Sequence, residues 1–318
     1  MSTDENLQIA SAVEENSLRK IISTKTAYLM MLISTMIWGG TFAASQVALG
    51  SIPLYSLVFL RFAAGGLVLF LVMKNRKIDM SFDKRHIPQY LFVGLVFMLG
   101  YHALFFTALR YTSALNGAII GATPPILVAL FFTIFFRQRL HRYQLIGISV
   151  SFVGVFLTIT NADWMIIRTF QFNIGDIIMV IAMSINALYQ IYCRKRCQGI
   201  SPFILMYYGI AVCLIALIPF VLYERPWEFL PHVPPLAWGS IVYLGLLSTA
   251  VAYVSQQMSI QSIGVENTAV MCNLVPIFAF LFSVFCLGEP FQPIKLLTAI
   301  IIIGGVVICQ KRGEFKKD

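Results

Sequence analysis

Arg61 is the one formal charge that lies well inside an apolar run of this 318-residue chain. A cation placed there costs about 2.5–3.5 kcal/mol on insertion scales, so it must face a bundle interior or water. Two roles fit it. The guanidinium could clamp a carboxylate or phosphate of a bound solute through its planar fork, or it could bond to carbonyl groups at a break in a neighbouring helix. A second set is spaced for one helical face: Gly94, Met98, Tyr101 and Phe105, with His102 beside them. Displaced by 151 residues, the same places hold Gly245, Thr249, Ala252 and Gln256, with Tyr253 for His102. One face offers rings and the other hydrogen-bonding groups, which suits an amphipathic organic solute. Trp38, Thr41, Ser184, Asn186, Tyr189 and Gln190 could add contacts from the first and sixth helices; ordinary interhelical bonding competes with that role. The candidate substrate-binding set is Trp38, Thr41, Arg61, Tyr101, His102, Phe105, Tyr189, Gln190, Thr249, Tyr253 and Gln256.

Other chemistries find little to use. There is no His-Glu-x-x-His, no Gly-x-Ser-x-Gly and no carboxylate cluster, so no catalytic residue is assigned and an intramembrane enzyme is the weaker alternative. No phosphate-binding glycine loop is present, which argues against an ATP-driven pump. Cys193 and Cys197 lie one helical turn apart without two further ligands close by, so neither a metal nor another cofactor is expected. Asp176, Glu266 and Glu289 fall near helix ends, leaving no deep carboxylate for proton coupling. His102 could titrate at working pH, or stay neutral and donate one bond.

The elements that must position these residues are membrane spans. The chain is 58% hydrophobic and 12% charged, with mean hydropathy +0.81, against roughly a quarter charged in soluble domains. Ten runs long enough to span are predicted, at 26–48, 54–73, 89–109, 114–136, 143–160, 174–193, 202–222, 236–257, 267–287 and 293–310. Residues 1–25 read as a polar tail whose acids argue against a cleaved leader, and 311–318 as a basic tail.

The second half repeats the first. Ala108-Leu109-Arg110-Tyr111-Thr112-Ser113-Ala114-Leu115-Asn116-Gly117-Ala118 leads to Pro125, and the segment from Ser259 through Asn267 and Ala269 leads to Pro276, 151 residues later. Gly94 falls on Gly245 and Gly154 on Gly305. A spacing of 149 sets Thr35 on Ser184, Thr41 on Gln190 and Pro53 on Pro202. Because each half has five spans, the copy must be inverted. The expected fold is all-α integral membrane, ten transmembrane helices as two inverted five-helix repeats, 26–160 and 174–310. Such repeats build secondary transporters with the site near the midplane. Asn116 and Asn267, equivalent and near opposite faces, could sit at gates or cap their helices. Pro124, Pro125 and Pro276 should kink the fourth and ninth spans.

The net charge of +9 is explained by topology. Eighteen of the 23 basic residues fall in the tails and alternate loops, as in Lys74/Arg76/Lys77 and Arg194/Lys195/Arg196. The positive-inside rule then puts both termini in the cytoplasm, with lipid headgroups as secondary contacts and no nucleic-acid partner.

Trp38-Gly39-Gly40-Thr41-Phe42-Ala43-Ala44-Ser45, Leu60-Arg61-Phe62, the run from Ala108 to Pro125, Gln144-Leu145-Ile146-Gly147 to Gly154, and Leu287-Gly288-Glu289-Pro290 resemble the EamA-type transporters of the drug/metabolite transporter superfamily over about residues 26–310. The chain departs from that pattern at Arg137-Gln138, where the first half lacks the Gly-Glu element. The resemblance implies a monomeric ten-helix carrier of small organic metabolites in the cell (inner) membrane. Export of an amino acid or drug-like amphiphile is the leading expectation. Uptake or exchange of a nucleoside-like solute such as S-adenosylmethionine is the alternative.

The topology is open to test. In a variant lacking native cysteines, single cysteines at Asp163 and Glu228 should react with a membrane-impermeant thiol reagent in intact cells, and one at Lys84 should not; the reverse pattern would end the ten-span reading.

Overall fold

The computed structural model describes residues 23–310 except 79, 138–141, 170–171, 198 and 291; within the helices, certain side chains, Asn267 among them, also lie outside the description. Both tails predicted from the sequence lie largely outside it. The described chain is helical, with no strand among those residues. The main helices are α1 (Thr24–Leu49), α2 (Leu54–Asn75), α3 (Lys84–Tyr111), α4 (Ala114–Ile120), α5 (Pro124–Phe136), α6 (Arg142–Thr160), α7 (Ile174–Arg196), α8 (Pro202–Tyr223), α9 (235–272), α10 (Val275–Leu287) and α11 (Pro293–Gln310). Seven helices are long and apolar enough to cross a membrane, or eight if the α4/α5 pair, bent by 40°, is one span; α10 and α11 are shorter apolar helices. The protein is therefore a multi-pass membrane protein.

Helix ends are set by local chemistry. The Ser23 hydroxyl accepts from Thr26 N at the start of α1. At the start of α2, where Pro53 precedes the first turn, the Glu224 carboxylate accepts from Tyr55 N (2.9 Å), Ser56 N (2.7 Å) and the Ser56 hydroxyl (2.7 Å). A carboxylate there also meets the positive end of the helix dipole. The α4/α5 break follows from Pro124 and Pro125, which withhold two N–H donors and open the new helix at its first turn. The fourth run predicted from sequence is thus two helices.

α9 differs more from expectation. Helical segments follow one another without a gap from 235 to 272, past the predicted end at 257. Yet Gln256 Nε2 lies 4.0 Å from Cys272 Sγ, 16 residues away. A straight helix would separate them by roughly 24 Å, so the chain turns back on itself between them.

Contacts between α6 and α11 fix how the halves are related. A Cβ added at Gly147 would lie 2.5 Å from the Gly305 carbonyl oxygen and 2.6 Å from Cys309 N, and one at Gly154 would lie 2.6 Å from Ile302 Cγ1. Ser151 Oγ donates to the Ile302 carbonyl at 3.1 Å. Rising numbers on α6 meet falling numbers on α11, so these two helices, equivalent in the repeat, run antiparallel. Ser151 touches the partner of Gly154, and Gly154 touches the partner of Ser151. That reciprocity is the mark of a two-fold interface, here between two parts of one chain.

A second set of contacts repeats across the molecule. A Cβ on Gly94 would meet Gly209 O and Val212 Cβ, each at 2.7 Å, and one on Gly245 would meet Arg61 O (3.0 Å) and Ala64 Cβ (2.5 Å). Gly209 and Val212 therefore correspond to Arg61 and Ala64, a spacing of 148. The spacing of 149 read from Pro53 and Pro202 is off by one for the first two helices of each half. Loop-flanking prolines mark where a helix begins only to within a residue; buried glycine contacts mark its rotation.

With no hydrophobic drive between helices in lipid, close backbone approach carries this packing. Gly305→Leu should lower stability by about 1–3 kcal/mol through overpacking, read as a lower melting temperature in detergent. Gly304→Leu, whose added Cβ meets nothing within 4 Å, should be close to neutral.

Candidate functional site

A cavity of about 490 Å³ lies between the halves. Its walls are Trp38, Thr41 and Phe42 of α1, Arg61 of α2, Phe97, Tyr101, His102 and Phe105 of α3, and Asn186, Tyr189 and Gln190 of α7. Ser248, Tyr253, Gln256, Thr268 and Cys272 of α9 complete it, with Asn273 and the breaks at Gly121–Pro125 and Val275–Pro276. Ten of the eleven residues singled out from sequence thus share one cavity. Thr249 is the exception. It lines a smaller lateral pocket of about 30 Å³ with Gly65, Leu69, Pro202 and Phe203, and Tyr253 borders both spaces.

Two stretches of wide helix explain that misplacement. Phe92–Tyr101 in α3 and Tyr243–Val251 in α9 adopt π-helical hydrogen bonding, at equivalent places in the repeat. A π turn takes one more residue than an α turn, so it shifts the face each side chain presents. A regular helix would bring Gly94 and Met98 to the cavity. Instead Phe97 and its equivalent Ser248 line it, while Gly94 packs on Gly209 of α8, and Met98 Sδ approaches Gly209 as well. The π turns also create five-residue side-chain bonds. His102 Nδ1 lies 3.2 Å from the Phe97 carbonyl, which makes Nδ1 the donor, and Thr249 Oγ1 donates to the Leu244 carbonyl at 2.8 Å.

Arg61 is held by hydroxyls. Its Nε donates to Thr249 Oγ1 at 3.3 Å and its Nη2 to Ser248 Oγ at 3.4 Å. Thr41 Oγ1 donates to Ser248 Oγ at 2.9 Å and Trp38 Nε1 to the Ser248 carbonyl at 3.2 Å. The guanidinium carbon is 5.8 Å from the Phe62 ring and 5.9 Å from Phe106, within cation–π range. No Asp or Glu is among the described lining residues, so no carboxylate of the described wall pairs with this buried guanidinium.

The equivalent place in the other half carries rings. With spacings of 148 and 151, the Thr41–Ser248 hydrogen bond corresponds to the Tyr189–Phe97 pair, stacked at 3.8 Å and 7°. Phe97 also lies parallel to Tyr101, at 5.2 Å and 8°. Thr41 is therefore matched by Tyr189, and not by Gln190 as the sequence spacing suggests.

Toward the end of the bundle where α1 stops, Phe42 and Phe105 pack at 5.4 Å, and Phe106 lies against Phe105 at the same distance. Near that end Asp176 is buried, 1% exposed. Its carboxylate accepts from the Thr112 hydroxyl and from Asn116 Nδ2 at 3.1 and 3.3 Å, and Gln46 Nε2 donates to the Thr112 carbonyl at 2.9 Å. Glu289 accepts from Ala114 N at 3.1 Å, and burial raises this carboxyl above its ordinary value. The capping role considered for Asn116 belongs to Ser113, whose hydroxyl accepts from Asn116 N. Asn267 lies outside the described side chains. Sequence reasoning missed Ser248, Asn273 and Asp176. The first was hidden by the π turn, the second by the chain reversal, and the third by its position at a helix end, which gave no sign of its burial.

An all-helical, multi-pass chain with two sequence repeats, whose helices α6 and α11 pack antiparallel, and with a central cavity defines the class of a two-repeat membrane protein. The EamA-like transporter family model matches residues 25–160 and 173–309, and the chain belongs to this family. It is similar to the uncharacterized transporter YyaM of Bacillus subtilis, 28% identical over 281 residues, 88% of this chain and 92% of that protein. An uncharacterized transporter of Archaeoglobus fulgidus is 26% identical over 294 residues, 90% and 98% of the two chains. A solved crystal structure matches the fold with a TM-score of 0.62 at 18% identity, covering 89% of this chain and 97% of that one. The protein is thus a membrane transporter of the EamA family.

Asp176→Ala would strand the Thr112 hydroxyl and the Asn116 amide in a buried layer. A loss of about 1–3 kcal/mol is expected, measured as melting temperature, with a smaller loss for Asp176→Asn.

Proposed function

We propose that the chain is a secondary carrier of ten spans that moves a small amphipathic organic solute, such as an amino acid or drug-like amphiphile, out of the cell by alternating access. The observation that carries this reading is the central cavity: its lining comes from both repeats and joins a hydroxyl wall to an aromatic wall, and the Phe42–Phe105 contact and the buried Asp176 cluster support a seal toward one end. Ten spans follow from counting α4/α5 as one, dividing α9 at its reversal, and joining its returning arm to α10. The basic loops then place both termini in the cytoplasm, and the sealed end faces outward. The chain functions as a monomer in the cell membrane, with lipids and its solute as partners.

The substrate-binding role falls to Trp38, Thr41, Arg61, Tyr101, His102, Phe105, Tyr189, Gln190, Tyr253 and Gln256. Thr249 acts through Arg61, and Asn116 joins Asp176 at the outer gate. S-adenosylmethionine uptake has less support, because no carboxylate among the described lining residues meets its sulfonium and ammonium charges.

Purified protein in vesicles should exchange a labelled solute from a metabolite panel. With no carboxylate in the described wall, collapsing the pH gradient should leave most counterflow intact. Arg61→Ala should reach the membrane yet lose most flux, and Arg61→Lys should recover little, since an ammonium lacks the fork. Gln256→Ala and Tyr101→Ala should each weaken binding by about 1–3 kcal/mol. Strict dependence on the gradient, or wild-type flux in Arg61→Ala, would refute the reading of the site.

A further inference from the structure

Two donor groups of the cavity wall bear on what it can hold. Arg61 donates through Nε and Nη2 to hydroxyls, and its Nη1 has no partner among the described residues. Asn273, 7% exposed, lines the cavity, and its Nδ2 is buried without a hydrogen-bond partner. A buried unmade donor is costly, and both groups would be satisfied by a solute that brings acceptors and negative charge. A single guanidinium presents one fork, which matches one carboxylate. No acid among the described lining residues could neutralise an ammonium, and Arg61 would repel one. The same cavity is lined by an aromatic stack, Phe97 on Tyr189 at 3.8 Å and parallel to Tyr101 at 5.2 Å, against which a further ring can pack.

We propose that the cavity selects an aryl monocarboxylate without an amine. The carboxylate sits on the Arg61 fork beside the Ser248 hydroxyl, the Asn273 amide donates to an acceptor on the solute, and the ring lies along Phe97, Tyr101 and Tyr189. This deepens the carrier reading and rests on it for flux, though not for binding. It narrows that reading to its amphiphile branch, because a free amino acid, whose ammonium would stand unpaired beside a guanidinium, is discriminated against.

The test uses the full chain in nanodiscs and four probes that share one phenylalkyl body: 3-phenylpropionate, 3-phenylpropan-1-ol, 3-phenylpropylamine and L-phenylalanine. By calorimetry the acid should bind about tenfold tighter than each of the others, the scale of one charge-assisted bond. Arg61→Gln should erase that margin without moving the affinity of the alcohol. Asn273→Asp, which alters a different helix break, should repel the acid and admit the amine. Equal binding of acid and amine by the wild type, absence of acid binding, or unchanged acid affinity in both variants would overturn the proposal. Counterflow of the same probes separates the two readings. Exchange of the amine or alcohol without acid binding keeps the carrier and removes the anion site. Acid binding with no exchange of any probe keeps the anion site and removes the carrier.

Discussion

Within hydrocarbon every backbone N–H and C=O must find its partner inside the protein, and this single requirement organises the molecule. It makes the described chain helical, and it permits irregular backbone only where protein or an aqueous cavity surrounds it. The irregularities obey that limit. The π stretches of α3 and α9, the α4/α5 break and the turn at Asn273 before α10 all contribute residues to the one central cavity. The outer helix pair α6 and α11 contributes none of its lining residues. The π turns supply more than width: they bring Phe97 and Ser248 inward and give the His102 ring and the Thr249 hydroxyl carbonyl partners five residues back.

Upon this nearly two-fold scaffold the sequence writes different chemistry at equivalent places. Thr41 and Ser248 bond where Tyr189 and Phe97 stack. Arg61 stands where the other half has Gly209, and Trp38 where it has Asn186. A symmetric backbone is useful to a machine with two interchangeable states, whereas a solute with two unlike ends needs unlike walls. The glycines serve the first demand and the side chains facing the cavity serve the second. Gly94 and Gly245 keep the same close approach in both halves while their neighbours diverge.

Much of this was legible in the sequence. The repeat, the lone intramembrane Arg61 and the motifs around Trp38 and Pro125 pointed to the family now shown, and ten of eleven candidate residues meet in one cavity. The failures have local causes. Thr249 was chosen over Ser248 because a 3.6-residue period cannot foresee a π turn. Thr41 was matched to Gln190 because helix rotation is set by buried contacts that one sequence does not display. The break at 258–266 predicted between the eighth and ninth spans lies within the stretch where α9 turns back, whereas the second break at Asn273, inside the run read as one span at 267–287, was not foreseen. The missing Gly-Glu element at Arg137-Gln138 also proved less disruptive than it looked. Arg137 takes the left-handed cap (φ 52°) that its equivalent Gly288 takes (φ 67°), at a cost of order 1 kcal/mol.

The two ends of the bundle differ by the same logic. Three carboxylates tie helix ends together where α1 stops: Asp176 holds Thr112 and Asn116, Glu224 holds the first turn of α2, and Glu289 holds the first residue of α4. By the repeat spacings of 148 and 151, the equivalent sequence positions are Tyr28, Arg76 and Gln138, none of them an acid. Hydrogen bonds to a charged group contribute about 1.5–3 kcal/mol each, so these three carboxylates give the end where α1 stops ties for which the equivalent sequence positions carry no acid.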